Sequence, residues 1–282
     1  MRRLPALSAA LLAAVMILVG TGCSYLQARD HLNKGINAYR SAKYSEAVEH
    51  FKQAMALDPD WLTPRIYLAT SYMSQWIPGA ESPENLEMAA KAREEFLKVL
   101  DVEPTEPTAL GYLAMLSYNE AIQSTDPEVK KAKLDESAEW HHKRIAADPN
   151  QKEAYYSLGV IAFNRWNPVW LTARSNLRMR SEDPGPLKDK KVREELRTEY
   201  SQVLDDGIQN LQKALDIDPE YDDAMAFMNL LIRERADLLD SEEEYAKQVE
   251  IADTWLQKAL DTKKIKAERA NKSAGGGIVQ EN

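Results

Sequence analysis

One short phrase recurs four times along the 282-residue chain, and each copy closes on an acidic residue followed by proline. Proline lacks an amide N–H, and its ring pushes the preceding residue out of the helical region. Each phrase therefore marks the end of one helix and the start of the next. The four copies are residues 54–59, 99–104, 144–149 and 214–219. A chain punctuated in this way predicts a succession of helices and leaves no stretch for alternating strands.

Small and aromatic residues recur at fixed places ahead of each proline. In the first copy, Gly35 is followed by Ala47 and Phe51, and Pro59 ends the series. Small residues at facing positions let two helices cross closely, because larger side chains would push them apart. The pattern resembles the tetratricopeptide repeat, a 34-residue helix–turn–helix unit, over about residues 28–264. The resemblance implies an all-α, right-handed α-solenoid of about five helix pairs.

The spacing of the phrases differs from the period of that family. Successive prolines are 45, 45 and 70 residues apart, so the excess over 34 residues is 11, 11 and 36. The small-residue positions place each excess between the two helices of a pair. Because eleven residues make about three helical turns, we expect helices longer than the family standard. Asp126-Pro127 and the segment 241–244 predict the capped starts of two such helices.

The N-terminal segment predicts export. Arg2 and Arg3 precede an apolar run over residues 4–19, and small residues then lead to the single cysteine, Cys23. These are the regions of a secretory signal peptide, and the run is short for a membrane-spanning helix. The boundary resembles the lipobox of bacterial lipoproteins, which implies lipidation of Cys23 and a place on the outer membrane facing the periplasm. The alternative is an ordinary signal peptide with an incidental cysteine.

The predicted organisation has four parts: a signal peptide over 1–22, a lipidated linker over 23–28, the solenoid over 29–264 and a flexible tail over 265–282. The tail is predicted to be flexible because it has no apolar period and contains three consecutive glycines. The excess of 36 residues forms an insertion over 164–199. Asn167-Pro168 and residues 183–186 predict helix breaks there, so we expect a partly ordered loop.

The chain shows no motif of a catalytic or cofactor-binding site. It lacks G-x-S-x-G, a glycine-rich phosphate loop and H-E-x-x-H. Glu139, His141 and His142 suggest a metal site, but adjacent helical residues diverge and no second such motif is present. The formal charge of −9 disfavours nucleic acid as a partner. We therefore expect neither an enzyme nor a bound cofactor or metal.

The resemblance also predicts where a partner binds. In the tetratricopeptide family the first helix of each pair lines the concave face, which holds a protein or peptide. The predicted contacts on that face are Tyr39, Arg40, Met73, Tyr118, Asn119, Tyr156, Phe163 and Asn164. Such a mixture of aromatic, apolar and polar groups suits capture of a peptide or helix. The alternative is that several of these residues pack against the next repeat.

The insertion offers a second candidate surface. Between residues 165 and 181 the chain has four arginines, two tryptophans and no acid, although the mature chain carries a formal charge of −11 once Arg2 and Arg3 are removed. Tryptophan and arginine are enriched at interface hot spots. The predicted contacts are Arg165, Trp166, Trp170, Arg174 and Arg178. The alternative is an internal lid with buried tryptophans and with arginines paired to nearby acids.

These features predict a non-catalytic, lipid-anchored scaffold or adaptor for protein–protein interaction in the cell envelope. Its layout resembles the repeat lipoproteins of outer-membrane protein assembly and of pilus and secretin assembly. The competing hypothesis is a periplasmic protein that binds peptides or cell-wall fragments, with the insertion as a lid. A large complex recovered with the lipoprotein favours the first hypothesis, and a monomer that binds short peptides favours the second.

Lipidation gives the first testable prediction. We expect mass spectrometry of the mature N-terminus to show a lipid-modified Cys23, because the charged, apolar and small-residue regions converge on that bond. Multiple acyl chains anchor a protein stably, so Cys23→Ala should move it to the soluble fraction. An unmodified N-terminal residue elsewhere in the chain would contradict the prediction.

Overall fold

A computed structural model describes residues 24–180 and 182–275, so the predicted signal peptide and Cys23 lie outside the described part. All regular structure within it is α-helical. The helices are α1 (24–40), α2 (Tyr44–Leu57), α3 (Leu62–Met73), α4 (Pro83–Val102), α5 (Pro107–Gln123), α6 (Pro127–Ala147), α7 (Lys152–Asn176), α8 (Lys190–Ile217), α9 (Asp222–Ala236) and α10 (Glu242–Gly275). None of the helices in this part is both long and apolar enough to cross a bilayer.

The chain divides into two compact units between Thr125 and Asp126. Helices α1 to α5 belong to the first unit and α6 to α10 to the second. From α2 to α5, and again from α6 to α10, each helix packs against the next one in the chain, and α7 also packs against α9. Consecutive helices joined by short connections pack as antiparallel neighbours. The all-α, tetratricopeptide-type solenoid predicted from the sequence is confirmed, and the described residues form ten helices, the number expected for five pairs.

Glycines at the predicted small positions let the helices of a pair touch. In the first unit, a Cβ added to Gly35 of α1 would lie 2.5 Å from Cε1 of Phe51 on α2. In the second unit, a Cβ added to Gly159 of α7 would lie 2.5 Å from Cγ of Leu211 on α8. Phe51 and Leu211 are both fully buried. Each large side chain thus fills the space that the missing side chain of the facing glycine leaves.

The predicted starts of two long helices are confirmed. Asp126 Oδ1 accepts the backbone N–H of Glu128 at 2.9 Å, and Pro127 occupies the first turn of α6. Ser241 Oγ accepts the backbone N–H of Glu244 at 3.2 Å ahead of α10. Helix α6 has 21 residues and α10 has 34, compared with the usual length of about 11–12. The added residues between prolines therefore lengthen helices.

Three predicted boundaries differ from the structure. Residues 24–28 are already helical in α1, so the predicted linker over 23–28 is helix in its described part. Helix α10 continues to Gly275, so the predicted flexible tail begins as helix. Helix α7 continues through the predicted break at Pro168, and residues 177–180 and 182–189 are the irregular part of the predicted insertion over 164–199.

Specific contacts explain the longer helices. Beyond residue 264, Lys266 Nζ lies 2.5 Å from Asp222 Oδ1, and Arg269 Nη1 lies 2.7 Å from Glu220 Oε2. These pairs hold α10 against the start of α9. In α7, residues on both sides of Pro168 are held by other parts of the second unit: Asn167 Nδ2 donates to Glu234 Oε1 at 2.9 Å, and Trp170 Nε1 donates to Asp237 Oδ2 at 2.7 Å.

The close contact at Gly159 gives the second prediction. We expect Gly159→Val to destabilise the second unit by about 1–3 kcal/mol, because the new side chain overlaps Leu211. Ser157→Val is the matched control, since it adds the same side chain to the same helix at a half-exposed site. Thermal unfolding followed by circular dichroism measures both variants. Equal melting temperatures for the two variants would contradict the assigned helix pairing.

Candidate partner-binding site

The second unit brings four aromatic side chains together on the first helices of two successive pairs. We call them the aromatic surface: Tyr156 and Phe163 of α7, Tyr221 at the start of α9, and Phe227 within α9. Ring centroids lie 4.9 Å apart for Tyr156 and Tyr221, 5.7 Å for Tyr156 and Phe227, and 5.4 Å for Phe163 and Phe227. All four side chains are half-buried. Rings in this arrangement hold each other in place and still present an apolar surface.

The Tyr221 phenol of the aromatic surface is uncharged. Burial raises the pKa of the Tyr221 phenol, as do the nearby Tyr156 and Glu153, so this phenol stays protonated at physiological pH. Lys152 at its border is paired with Asp218, with 2.6 Å between Nζ and Oδ2. An apolar surface with polar groups at its border can bind apolar side chains of a peptide or helix.

Three of the eight predicted concave-face residues, Tyr156, Phe163 and Asn164, lie on α7. Asn164 is half-buried, and its Nδ2 donates to the Val160 carbonyl at 2.9 Å. Phe227 and Tyr221, by contrast, were missed. Their signal was present in the sequence, since they occupy the equivalent helix of the next repeat.

In the first unit the predicted residues are distributed over three helices. Tyr39 is half-buried, and its Oη hydrogen-bonds Ser74 Oγ at 3.0 Å, which links α1 to the end of α3. Arg40 is exposed, and Tyr118 and Asn119 on α5 are half-buried. Their placement is compatible with an accessible surface, and the contact to a partner stays a prediction.

Four residues predicted to contact a partner are instead interior. Trp166, Trp170 and Arg174 are 0%, 8% and 2% exposed, and Met73 is also buried. Burying a large aromatic side chain removes much apolar area from water, so these tryptophans stabilise the fold. Trp166 packs against Tyr200 of α8, with ring centroids 5.4 Å apart. The prediction that they form an accessible interface is therefore corrected.

A buried polar network fixes the irregular segment, residues 177–180 and 182–189. Arg174 forms an ion pair with Asp237 at the end of α9, and Trp170 Nε1 donates to the same carboxylate at 2.7 Å. Arg174 Nε also donates to the Arg180 carbonyl at 2.9 Å, and the Leu187 N–H donates to the Asp237 carbonyl at 3.0 Å. The segment is thus tied to α7 and α9, as the internal-lid alternative predicts.

Most arginines of the acid-free stretch between residues 165 and 181 pair with acidic side chains from elsewhere in the second unit. Arg165 Nη2 lies 2.5 Å from Asp135 Oδ1 on α6, and Arg180 Nη2 lies 2.8 Å from Asp183 Oδ1. Arg178 is exposed on the irregular segment. Because most of these cations have fixed partners, the stretch is not a free basic patch.

The second unit also contains two clefts that no pattern in the sequence predicts. The first has a volume of about 450 Å³, and the second about 510 Å³. The first is lined mainly by Pro168, Val169, Thr172, Leu177, Val192 and Leu196. The second is lined mainly by Gln202, Asp205, Gln209, Met228, Ile232 and Trp255. Both depend on the lengthened α8, and no predicted contact residue lines either one.

The histidines do not assemble a metal centre in the described residues. His141 is buried, and burial lowers its pKa to about 3, whereas the adjacent His142 is exposed. The Nδ1 atoms of His31 and His50 lie 3.4 Å apart between α1 and α2. Over residues 24–180 and 182–275, no three histidine, cysteine or acidic side chains are placed to hold an ion.

The buried ion pair gives the third prediction. We expect Arg174→Met to lower the free energy of unfolding of the second unit by about 3–5 kcal/mol, because Asp237 then stays buried without its cation. Arg178→Met is the matched control, since it removes an exposed arginine four residues later. Urea unfolding measures both. Equal losses in the two variants would contradict the structural role of the ion pair.

Glu234 gives the fourth prediction. Burial raises its pKa to about 8, from an ordinary 4.5, with the Asn167 hydrogen bond opposing the shift and Asp237 adding to it. The folded chain therefore holds a proton that the unfolded chain releases, and the contribution of Glu234 to the free energy of unfolding falls as pH rises from about 4.5 to about 8. Glu234→Gln should flatten that dependence, measured by unfolding at several pH values.

The exposed Glu242 provides the control for this measurement. Glu242→Gln changes the same functional group at an exposed position in the first turn of α10. The control variant should keep the wild-type pH dependence. A Glu234→Gln variant that also keeps it would show that this carboxyl is ionised in the folded chain.

Residues 28–61 match the sequence profile of the tetratricopeptide repeat family. A crystal structure of the MamA protein matches at 14% identity with a TM-score of 0.54, over 86% of this chain and 94% of that one. A second MamA crystal structure matches at 15% identity with a TM-score of 0.51, over 83% and 96%.

A MamA structure from Desulfovibrio magneticus RS-1 has 17% identity and a TM-score of 0.49, over 84% of this chain and 96% of that one. No curated protein matches at a significant level. At such identities the likeness shows the fold alone. The described chain has the fold of a tetratricopeptide-type solenoid, and residues 28–61 match that repeat in sequence.

Proposed function

We propose that this chain is a non-catalytic scaffold that binds a protein partner on the aromatic surface and is tethered to the outer membrane, facing the periplasm, through Cys23. Solenoids of this repeat type bind protein partners. The observation that carries the proposal is the half-buried aromatic surface, where four rings meet on α7 and α9. The sequence supports the tether, because the export signal ends at the single cysteine.

The chemistry of the aromatic surface defines the kind of partner. Its rings are apolar and Lys152 at its border is already paired with Asp218, so a partner segment gains most by burying its own apolar or aromatic side chains. A short amphipathic helix or an extended peptide fits this requirement. A role in outer-membrane or pilus and secretin assembly would need such segments on the partner.

The fifth prediction tests the aromatic surface. We expect Phe163→Ala to reduce crosslinked recovery of the partner from native membranes about tenfold or more, since truncating a hot-spot aromatic costs about 2 kcal/mol. Leu171→Ala is the matched control, because Leu171 is an exposed apolar residue on the same helix outside the aromatic surface. Phe163→Leu keeps an apolar packing group and separates a loss of contact from a loss of fold.

Retained binding in a folded Phe163→Ala variant would contradict the assignment of the aromatic surface. If Trp255→Ala then abolished recovery, the partner would bind at the second cleft instead. Circular dichroism of each variant confirms that its helices are intact.

The first cleft favours one alternative function. Its volume of about 450 Å³ and its mixed apolar and polar lining suit a short peptide or a cell-wall fragment, with Leu177 of the irregular segment in its wall. Titration calorimetry with short peptides and muropeptides tests this function. Binding that is lost in Thr172→Leu, in a protein that purifies as a monomer, would favour the ligand-binding function over the scaffold.

A further inference from the structure

The start of α1 leaves no room for a spacer after the proposed anchor. The residue that follows Cys23 is already helical, and the helix runs without interruption to residue 40. Leu26 is only three residues after Cys23 in the sequence, and three residues of chain span at most about 11 Å even when fully extended. The surface that holds the acyl chains is therefore within reach of the first turn of α1.

The side chains at that end form what we call the N-terminal patch: Tyr25, Leu26, Arg29 and Trp61. Tyr25 is 46% exposed and Leu26 is 67% exposed. The Arg29 guanidinium carbon lies 4.6 Å from the ring centroid of Tyr25 and 5.2 Å from that of Trp61. Arg29 thus connects the first turn of α1 with the residue that precedes α3.

The composition of the N-terminal patch is that of a membrane interface. Tyrosine and tryptophan concentrate at the headgroup level, where their amphipathic rings meet both lipid and water. An exposed leucine gains free energy by entering the acyl boundary. A guanidinium that lies over aromatic rings can bind lipid phosphate oxygens with its free N–H groups.

We propose that the N-terminal patch inserts into the headgroup region of the bilayer that holds Cys23, and so fixes the orientation of the first unit on the membrane. The inference rests on the proposed lipid anchor and extends it from a flexible tether to a docked surface. The occupant is a phospholipid surface. The acyl chains supply the attachment, and Tyr25, Leu26 and Trp61 supply the orientation.

The charges around the N-terminal patch predict which lipids suffice. Asp60 immediately precedes Trp61, Asp58 is three residues before it, and the mature chain carries a formal charge of −11. Anionic lipid therefore adds little attraction. We expect docking on zwitterionic phosphatidylcholine or phosphatidylethanolamine, with weak dependence on salt, because apolar contact dominates.

The test uses the acylated protein in phosphatidylcholine vesicles. In that protein the Cys23 sulfur is alkylated, so the thiol of a Leu26→Cys variant is the one available to an environment-sensitive fluorophore. Ile77→Cys is the matched control, because Ile77 is 65% exposed and follows the C-terminal end of α3, whereas Trp61 precedes its N-terminal end. The twelve residues of α3 separate the two ends by about 18 Å.

We expect the fluorophore at position 26 to shift to the blue and to be quenched by nitroxide-labelled lipid at least about twofold more than the fluorophore at position 77. Tyr25→Cys is a second labelling site and should behave like Leu26→Cys. Mass spectrometry of the same sample establishes whether Cys23 is acylated. Repeating the measurement in phosphatidylglycerol vesicles and in high salt should change the result little.

The possible outcomes separate the two proposals. An acylated Cys23 with water-exposed fluorophores at both positions 25 and 26 would overturn the docked surface and leave the anchor in place. An unmodified Cys23 would overturn both. Equal quenching at positions 26 and 77 would also overturn the inference, since it would mean that the first unit has no preferred orientation.

Discussion

The close contact between the two helices of a pair constrains where the other side chains of those helices can lie. Gly35 faces Phe51 and Gly159 faces Leu211, and in both places a single added carbon would overlap the partner side chain. These contacts set the distance and rotation of α1 against α2 and of α7 against α8. Once these distances are set, the remaining positions of α7 must face either the neighbouring pair or solvent. The residues of the aromatic surface, from α7 and α9, pack against the neighbouring pair and are also partly exposed to solvent.

The second unit shows how an insertion can become part of the core. Its tryptophans and arginines have the composition of an interface, and the same composition serves the interior when acids from other helices are within reach. Asp237 at the end of α9 accepts from both Trp170 and Arg174, and Asp135 on α6 pairs with Arg165. The cost of burying the Arg174 charge is offset by this pairing and by the carbonyls of the irregular segment. Composition alone does not distinguish these two uses of tryptophan and arginine.

The fold was predictable because its determinants are local in sequence. Proline punctuation, the small residues at Gly35 and Gly159, and the caps at Asp126 and Ser241 each act within one helix pair, and each has the expected structural role.

The site was predictable in part, since Tyr156 and Phe163 follow from the repeat pattern. The burial of Trp166 and Trp170 was not, because it depends on acids and apolar groups about 30 to 70 residues away. Pro168 likewise breaks a helix only where tertiary contacts do not hold it.

The order of helix contacts along the chain also determines how the protein folds and unfolds. All but one of the extensive helix contacts join elements that are consecutive in sequence, and the exception, α7 with α9, skips a single helix. Such an array folds by nearest-neighbour steps with little loop-closure entropy, so its pairs can form early and independently. Unfolding then need not be a single transition, because the boundary at Thr125 separates two sets of contacts. A partner that bound the aromatic surface would stabilise the helix contacts of the second unit by mass action. The first unit would be stabilised only to the extent that its unfolding is coupled to unfolding of the second.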